Sequence, residues 1–149
     1  MMARNYDDIV ERLLNELYWV IDVLPCQVPQ GARGQFFAVE KYYLQEPQHE
    51  RLCGQFADVL LKLNCYYDLH VNHCDKWVKN PAPATLASWL ACSLQNGHLC
   101  ALVDEGEALL TASGGDIYMT LYNPSPEMVE LVRQLASAAG LFLWQPPKE

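Results

Sequence analysis

The chain has 149 residues, 18 acidic against 10 basic, for a net charge of −8 and a pI near 4.9. With 51% apolar and 19% charged residues, it is neither disordered nor low-complexity, and a chain this size buries about 69% of its extended surface around one core. No apolar run approaches the roughly 18 residues of a membrane span, and the ten scattered basic residues offer no phosphate-neutralising surface for nucleic acid or an anionic membrane.

The opening MMARNYDDIVERLL carries acidic residues where a secretory leader has an unbroken apolar stretch, so a cytoplasmic location is expected. Cys26, Cys53, Cys65, Cys74, Cys92 and Cys100 include no CxxC pair. Most have apolar neighbours, and they are expected to be reduced core thiols.

In chain order, Tyr6 to Leu24 reads as one amphipathic helix, with Ile9, Leu13, Leu17, Val20, Ile21 and Leu24 at three- and four-residue steps, Asn5 as N-cap and Pro25 as the stop. A loop follows, and then Phe36–Leu44, read as a short helix although FFAVEKYYL also suits a strand. Pro47 to Leu63 is the clearest helix, striped by Leu52, Phe56, Val59, Leu60 and Leu63, with Asn64 closing it in a left-handed conformation. The period then falls to two over residues 65–72, which predicts a strand, and 72–83 reads as a polar connection. A further helix is expected from Pro83 to Gln95, stopped by Asn96-Gly97.

Short apolar runs at His98–Val103, Ala108–Ala112 and Ile117–Tyr122, parted by turn residues, predict an antiparallel meander. Ser125-Pro126-Glu127 starts a helix ended by Gly140, and Leu141–Gln145 forms a last strand, parallel to Ile117–Tyr122 if both share a sheet. The expectation is a single α+β domain over residues 1–149: N-terminal helices packed on one face of a mostly antiparallel sheet, with a C-terminal β-meander followed by a strand–helix–strand unit.

No catalytic or cofactor motif stands out. Cys65, Asp68, His70, His73, Cys74 and Asp75 are zinc-type donors. Alternation along a strand separates Cys65 from His70, leaving only His70, His73 and Cys74 able to converge, so no metal is expected. His98 and Cys100 share one face of a strand, a pairing that arises readily by alternation alone. No serine lies in a nucleophile elbow, and Gly114-Gly115 lacks a phosphate-cradle context, so no cofactor is expected.

One feature exceeds the generic pattern. Alternation puts Tyr118, Thr120 and Tyr122 on one face of their strand, and Phe142 and Trp144 on one face of the last. A solvated sheet face is normally polar, whereas aromatics with polar tips suit contact surfaces. Tyr118, Tyr122, Phe142 and Trp144, which share one sheet face if the two strands are neighbours in matching register, are therefore the candidate binding residues, most simply of a homodimer interface. The competing account covers them with the chain's own first helix. Binding rather than catalysis is the expected mode, either self-association or a protein partner, in the narrower form an acidic immunity or antitoxin-like inhibitor of a basic enzyme. The alternative is a small hydrolase or transferase with a His/Cys or carboxylate site near residues 70–80.

Overall fold

The computed structural model describes residues 5–147. The elements run α1 (Tyr6–Leu13), β1 (Tyr18–Asp22), α2 (Arg33–Tyr43), α3 (Gln48–Leu63), β2 (Leu69–His73), β3 (Lys76–Lys79), α4 (Pro83–Asn96), β4 (His98–Val103), β5 (Ala108–Ser113), β6 (Tyr118–Tyr122), α5 (Pro126–Ala138) and β7 (Phe142–Trp144). All seven strands form one sheet in the order β3-β2-β4-β5-β6-β1-β7, every pairing antiparallel. The fold is α+β, as expected.

The C-terminal third matches its sequence signals. β4, β5 and β6 form the meander, and Ser125 Oγ accepts from the Met128 backbone N–H at 3.1 Å to start α5. At the end of β5, a Cβ on Gly114 would come within 2.7 Å of Asn96 Cα. Only glycine lets that strand end pass the α4–β4 connection.

The first helix is shorter than its periodicity suggests. It stops at Leu13, and Tyr18–Asp22 is strand β1. The run YWVID is aromatic and β-branched, side chains that pack well on a pleated surface and lose freedom in a helix. Its apolar spacing survives because a strand buried on both faces also shows a near-continuous apolar run. Leu17, assigned to the helical stripe, lies in the connection and is 62% exposed.

Three further expectations are corrected between α3 and α4. Asn64 remains right-handed at φ −63°, and its amide donates to the Tyr67 carbonyl and to Asn80 Oδ1, tying the α3 exit to the end of β3. Residues 65–67 belong to that turn, so the strand begins at Leu69. The supposed polar connection contains β3, paired to β2 through a two-residue turn at Cys74 and Asp75, with φ 52° and 63°. Left-handed geometry at both turn residues matches the right-handed twist of the strands.

Helices α3, α4 and α5 cover one sheet face. Phe56, Leu60, Leu90 and Val132 meet Ile21, Ala101, Leu110, Met119 and Leu121 there in the main core. The other face is not bare, contrary to the one-sided packing expected. α1 lies on its β2–β4–β5 half, where Leu13 packs with Leu102 and Leu109, and Tyr6 stacks on His70 at 5.1 Å and against Trp77 at 5.3 Å. No helix among the described residues is long and apolar enough to cross a membrane.

Candidate functional site: an aromatic groove on the half-covered sheet face

Where α1 ends, the outer sheet face opens into a groove of about 550 Å³. Its floor comes from alternate residues of three strands: Tyr18, Val20 and Asp22 of β1, Tyr118, Thr120 and Tyr122 of β6, and Trp144 of β7. Leu14 lines it beyond the end of α1, and the 24–28 loop, Arg33 and Phe36 of α2, and Pro146 complete the lining. A neighbouring cavity of about 310 Å³ shares Leu14, Tyr118, Thr120 and Tyr122 and extends to His98, Cys100, Thr111, Ser113 and Asp116.

Parity places all four candidate aromatics on this one face, by a different route from the one expected. β7 does not neighbour β6, because β1 lies between them. Thr120 and Trp144 both pair with Val20, and Tyr118 and Phe142 both pair with Asp22. Two antiparallel pairings leave β7 parallel to β6. Tyr118, Tyr122 and Trp144 line the groove, whereas Phe142 stands outside its lining at 45% exposure. Tyr18 is a floor residue hidden by the helical reading of its segment; its ring lies 5.7 Å from that of Tyr122. α1 does not reach over the aromatic half, although Tyr122 touches the small core beneath it.

Asp22 is the second residue hidden in this way. Only 7% exposed, it accepts from Trp144 Nε1 through Oδ2 at 3.3 Å, while Oδ1 is buried with no hydrogen-bonding partner. Burial raises its carboxyl above the usual range; hydrogen bonding from the Leu24 backbone, then from the Trp144 indole and the Val23 backbone, opposes that rise without cancelling it. Burial also raises Asp116, and raises Glu40 together with the charges of Asp116 and Asp22. The Tyr118 phenol is raised by burial and then by Asp116, Glu40 and Asp22. Three acidic residues, Asp22, Asp116 and Glu40, thus act on the aromatic Tyr118 end of the groove, whose lining also includes Arg33.

The other candidates do not converge. His70 lies under Tyr6, whereas His73 stacks on Trp89 of α4 at 4.1 Å. The two histidines thus address opposite sheet faces, and the convergence of His70, His73 and Cys74 is corrected. Cys65 and Cys74 are exposed in separate turns. Among the described residues, no three His, Cys, Asp or Glu side chains form a metal-sized group. His98 does meet Cys100, Nε2 to Sγ at 3.2 Å, with Ser113 Oγ 2.7 Å from Nδ1. Burial and then the charge of Asp7 raise the Cys100 thiol, which opposes the thiolate that nucleophilic attack requires.

The cysteines are not mainly core residues. All are free, but only Cys53 is buried and Cys100 half-buried; Cys26, Cys65, Cys74 and Cys92 are exposed. They occupy turns and the outer side of α4, where apolar sequence neighbours say little about exposure. Burial, reinforced by Glu46, pushes the Cys53 thiol up to about 11. A chromogenic disulfide reagent at neutral pH should therefore modify four thiols rapidly in the native protein, with Cys53 reacting only on denaturation. Rapid native labelling of Cys53, read by peptide mapping, would contradict this account.

No family model matches the chain, and comparison with curated proteins and with solved structures finds no match. The molecule is defined by its own geometry: an α+β protein whose seven-stranded antiparallel sheet is covered on one face and half-covered on the other.

Proposed function

We propose that the chain is a protein-binding module that receives a segment of another protein in the aromatic groove on its outer sheet face. The supporting observation is the floor itself: Tyr18, Tyr118, Tyr122 and Trp144 line a concave surface flanked by Leu14 and by Arg33 and Phe36 of α2. Interface energy concentrates in Tyr and Trp that become buried at the centre of a contact, and concave sites seat projecting segments. A foreign segment fits better than a second copy, because two identical concave faces opposed to one another leave their centres unfilled. The net charge of −8 favours a basic partner, as an acidic inhibitor of a basic enzyme would require.

Thr120→Trp, at the middle of the floor, tests the reading by filling the groove without removing a core residue. Random peptides displayed on phage and panned on the wild-type protein should yield an apolar or aromatic consensus. Individual peptides should bind the folded Thr120→Trp protein at least about tenfold more weakly. Peptides binding both proteins alike, or no enrichment, would overturn the groove reading. A wild-type dimer in light scattering that Thr120→Trp converts to a monomer would assign the face to a second copy instead.

A further inference from the structure

The groove contains one carboxyl that its own chain satisfies only in part. Asp22 Oδ1 is buried and without a partner, while Oδ2 is held by the Trp144 indole. An unmet buried carboxylate oxygen is costly, and native interiors rarely keep one without a use. Arg33 lines the same groove, yet among the described residues no lysine or arginine forms an ion pair with Asp22. Asp116 and Glu40 add to the negative field around Tyr118.

We propose that Asp22 is the anchor of an arginine-binding site, its Oδ1 accepting from the guanidinium of a basic segment of a partner protein whose apolar neighbours lie along the aromatic floor. The proposal rests on the reading of the groove as a partner-binding surface and adds the residue that the partner must present. Three features select this chemistry. The free atom is a carboxylate oxygen, which only accepts, so the ligand must donate. Asp116 and Glu40, near enough to act on Tyr118, favour a cation over a neutral donor. The surroundings are aromatic, and guanidinium is planar, weakly hydrated and stacks on such rings, whereas a compact, strongly hydrated ammonium loses more on entering. Trp144 fixes the carboxylate through Oδ2, and Oδ1 is the unpaired atom of a residue that lines the groove.

The test uses N-acetylarginine methylamide and its neutral isostere N-acetylcitrulline methylamide, titrated into the 15N-labelled full chain. The Trp144 indole N–H resonance, assigned with Trp144→Phe, reports on the site because that hydrogen binds Asp22. The arginine probe should shift it saturably, and both the citrulline probe with the wild type and the arginine probe with Asp22→Asn should bind about tenfold more weakly or worse, as loss of a charge-assisted bond implies. Asp22→Asn should melt at or above the wild-type temperature, because it removes a buried charge that the fold does not satisfy. Equal binding of citrulline and arginine, no saturable shift, or undiminished binding to Asp22→Asn would each overturn the arginine site. The citrulline comparison needs no variant, so it decides even if Asp22→Asn fails to fold. If the arginine site falls while panned peptides still discriminate Thr120→Trp, the groove reading stands without it; if those peptides also fail to discriminate, both fall.

Discussion

Replacing Phe56 with alanine is expected to destabilise the protein by about 3–5 kcal/mol, the usual cost of deleting a buried phenyl ring. At about 2–4 °C per kcal/mol for a domain of this size, the melting temperature should fall by roughly 10–15 °C. Phe56 is fully buried in the main core, so no solvent or mobile side chain is placed to fill the cavity. Tyr118→Ser and Phe142→Ser provide the contrast. Tyr118 is half-buried on the groove floor and Phe142 is exposed, so each should cost about 1 kcal/mol or less. Thermal melts of the three variants separate a contact face from a core. A loss at Tyr118 as large as that at Phe56 would make the aromatic face structural and remove the basis for a binding groove.

Leu13→Ala should act locally rather than globally. α1 has eight residues, too few for a helix to persist alone in water, so it depends on docking against the sheet. Leu13 is its only buried residue and packs on Leu102 and Leu109. Truncation should cost about 2–5 kcal/mol at that contact, speeding amide exchange in the second half of α1 by about thirtyfold or more. Protection of β4 and β5 amides should change far less, because their pairing and the opposite core remain intact. Exchange mass spectrometry can resolve the two regions. Equal loss of protection in α1 and the sheet would show that α1 unfolds only with the whole domain.

The parts of this fold that were readable from sequence share a physical property: their signals are local. β4, β5 and β6 are short apolar runs joined by tight turns, and α5 carries its own cap at Ser125. β1 reads as helix from sequence because its stabilising partners are distant, while its apolar spacing also satisfies a helix. β3 was missed because its turn uses Cys74 and Asp75 in place of the Asn-Gly or Asp-Gly that signals a hairpin, and because Lys76 and Lys79 make an edge strand look like a solvated loop. The candidate site divides the same way. Alternation places Tyr118 with Tyr122, and Phe142 with Trp144, on one face of each strand, whereas their common sheet face depends on β1 lying between the two strands, and Tyr18 and Asp22 belong to it only because Tyr18–Asp22 is a strand. The signal was present in YWVID, five residues rich in aromatic and β-branched side chains, with Tyr18, Val20 and Asp22 at a spacing of two.

The position of β1 between β6 and β7 sets an order on folding during synthesis. Tyr18 pairs with Tyr122, and Val20 with Trp144, so an early-emerging strand has no strand neighbour until β6 has been made. The β2–β5 region is available sooner, because its strands are close in sequence and its contacts close short loops. Until β6 arrives, the apolar Trp19, Val20 and Ile21 lack the strand partners of the fold, and unpaired apolar segments of high β-propensity are prone to aggregate. Translation pauses or premature termination between β5 and β6 would prolong that exposure, making yield sensitive to elongation rate as well as to final stability.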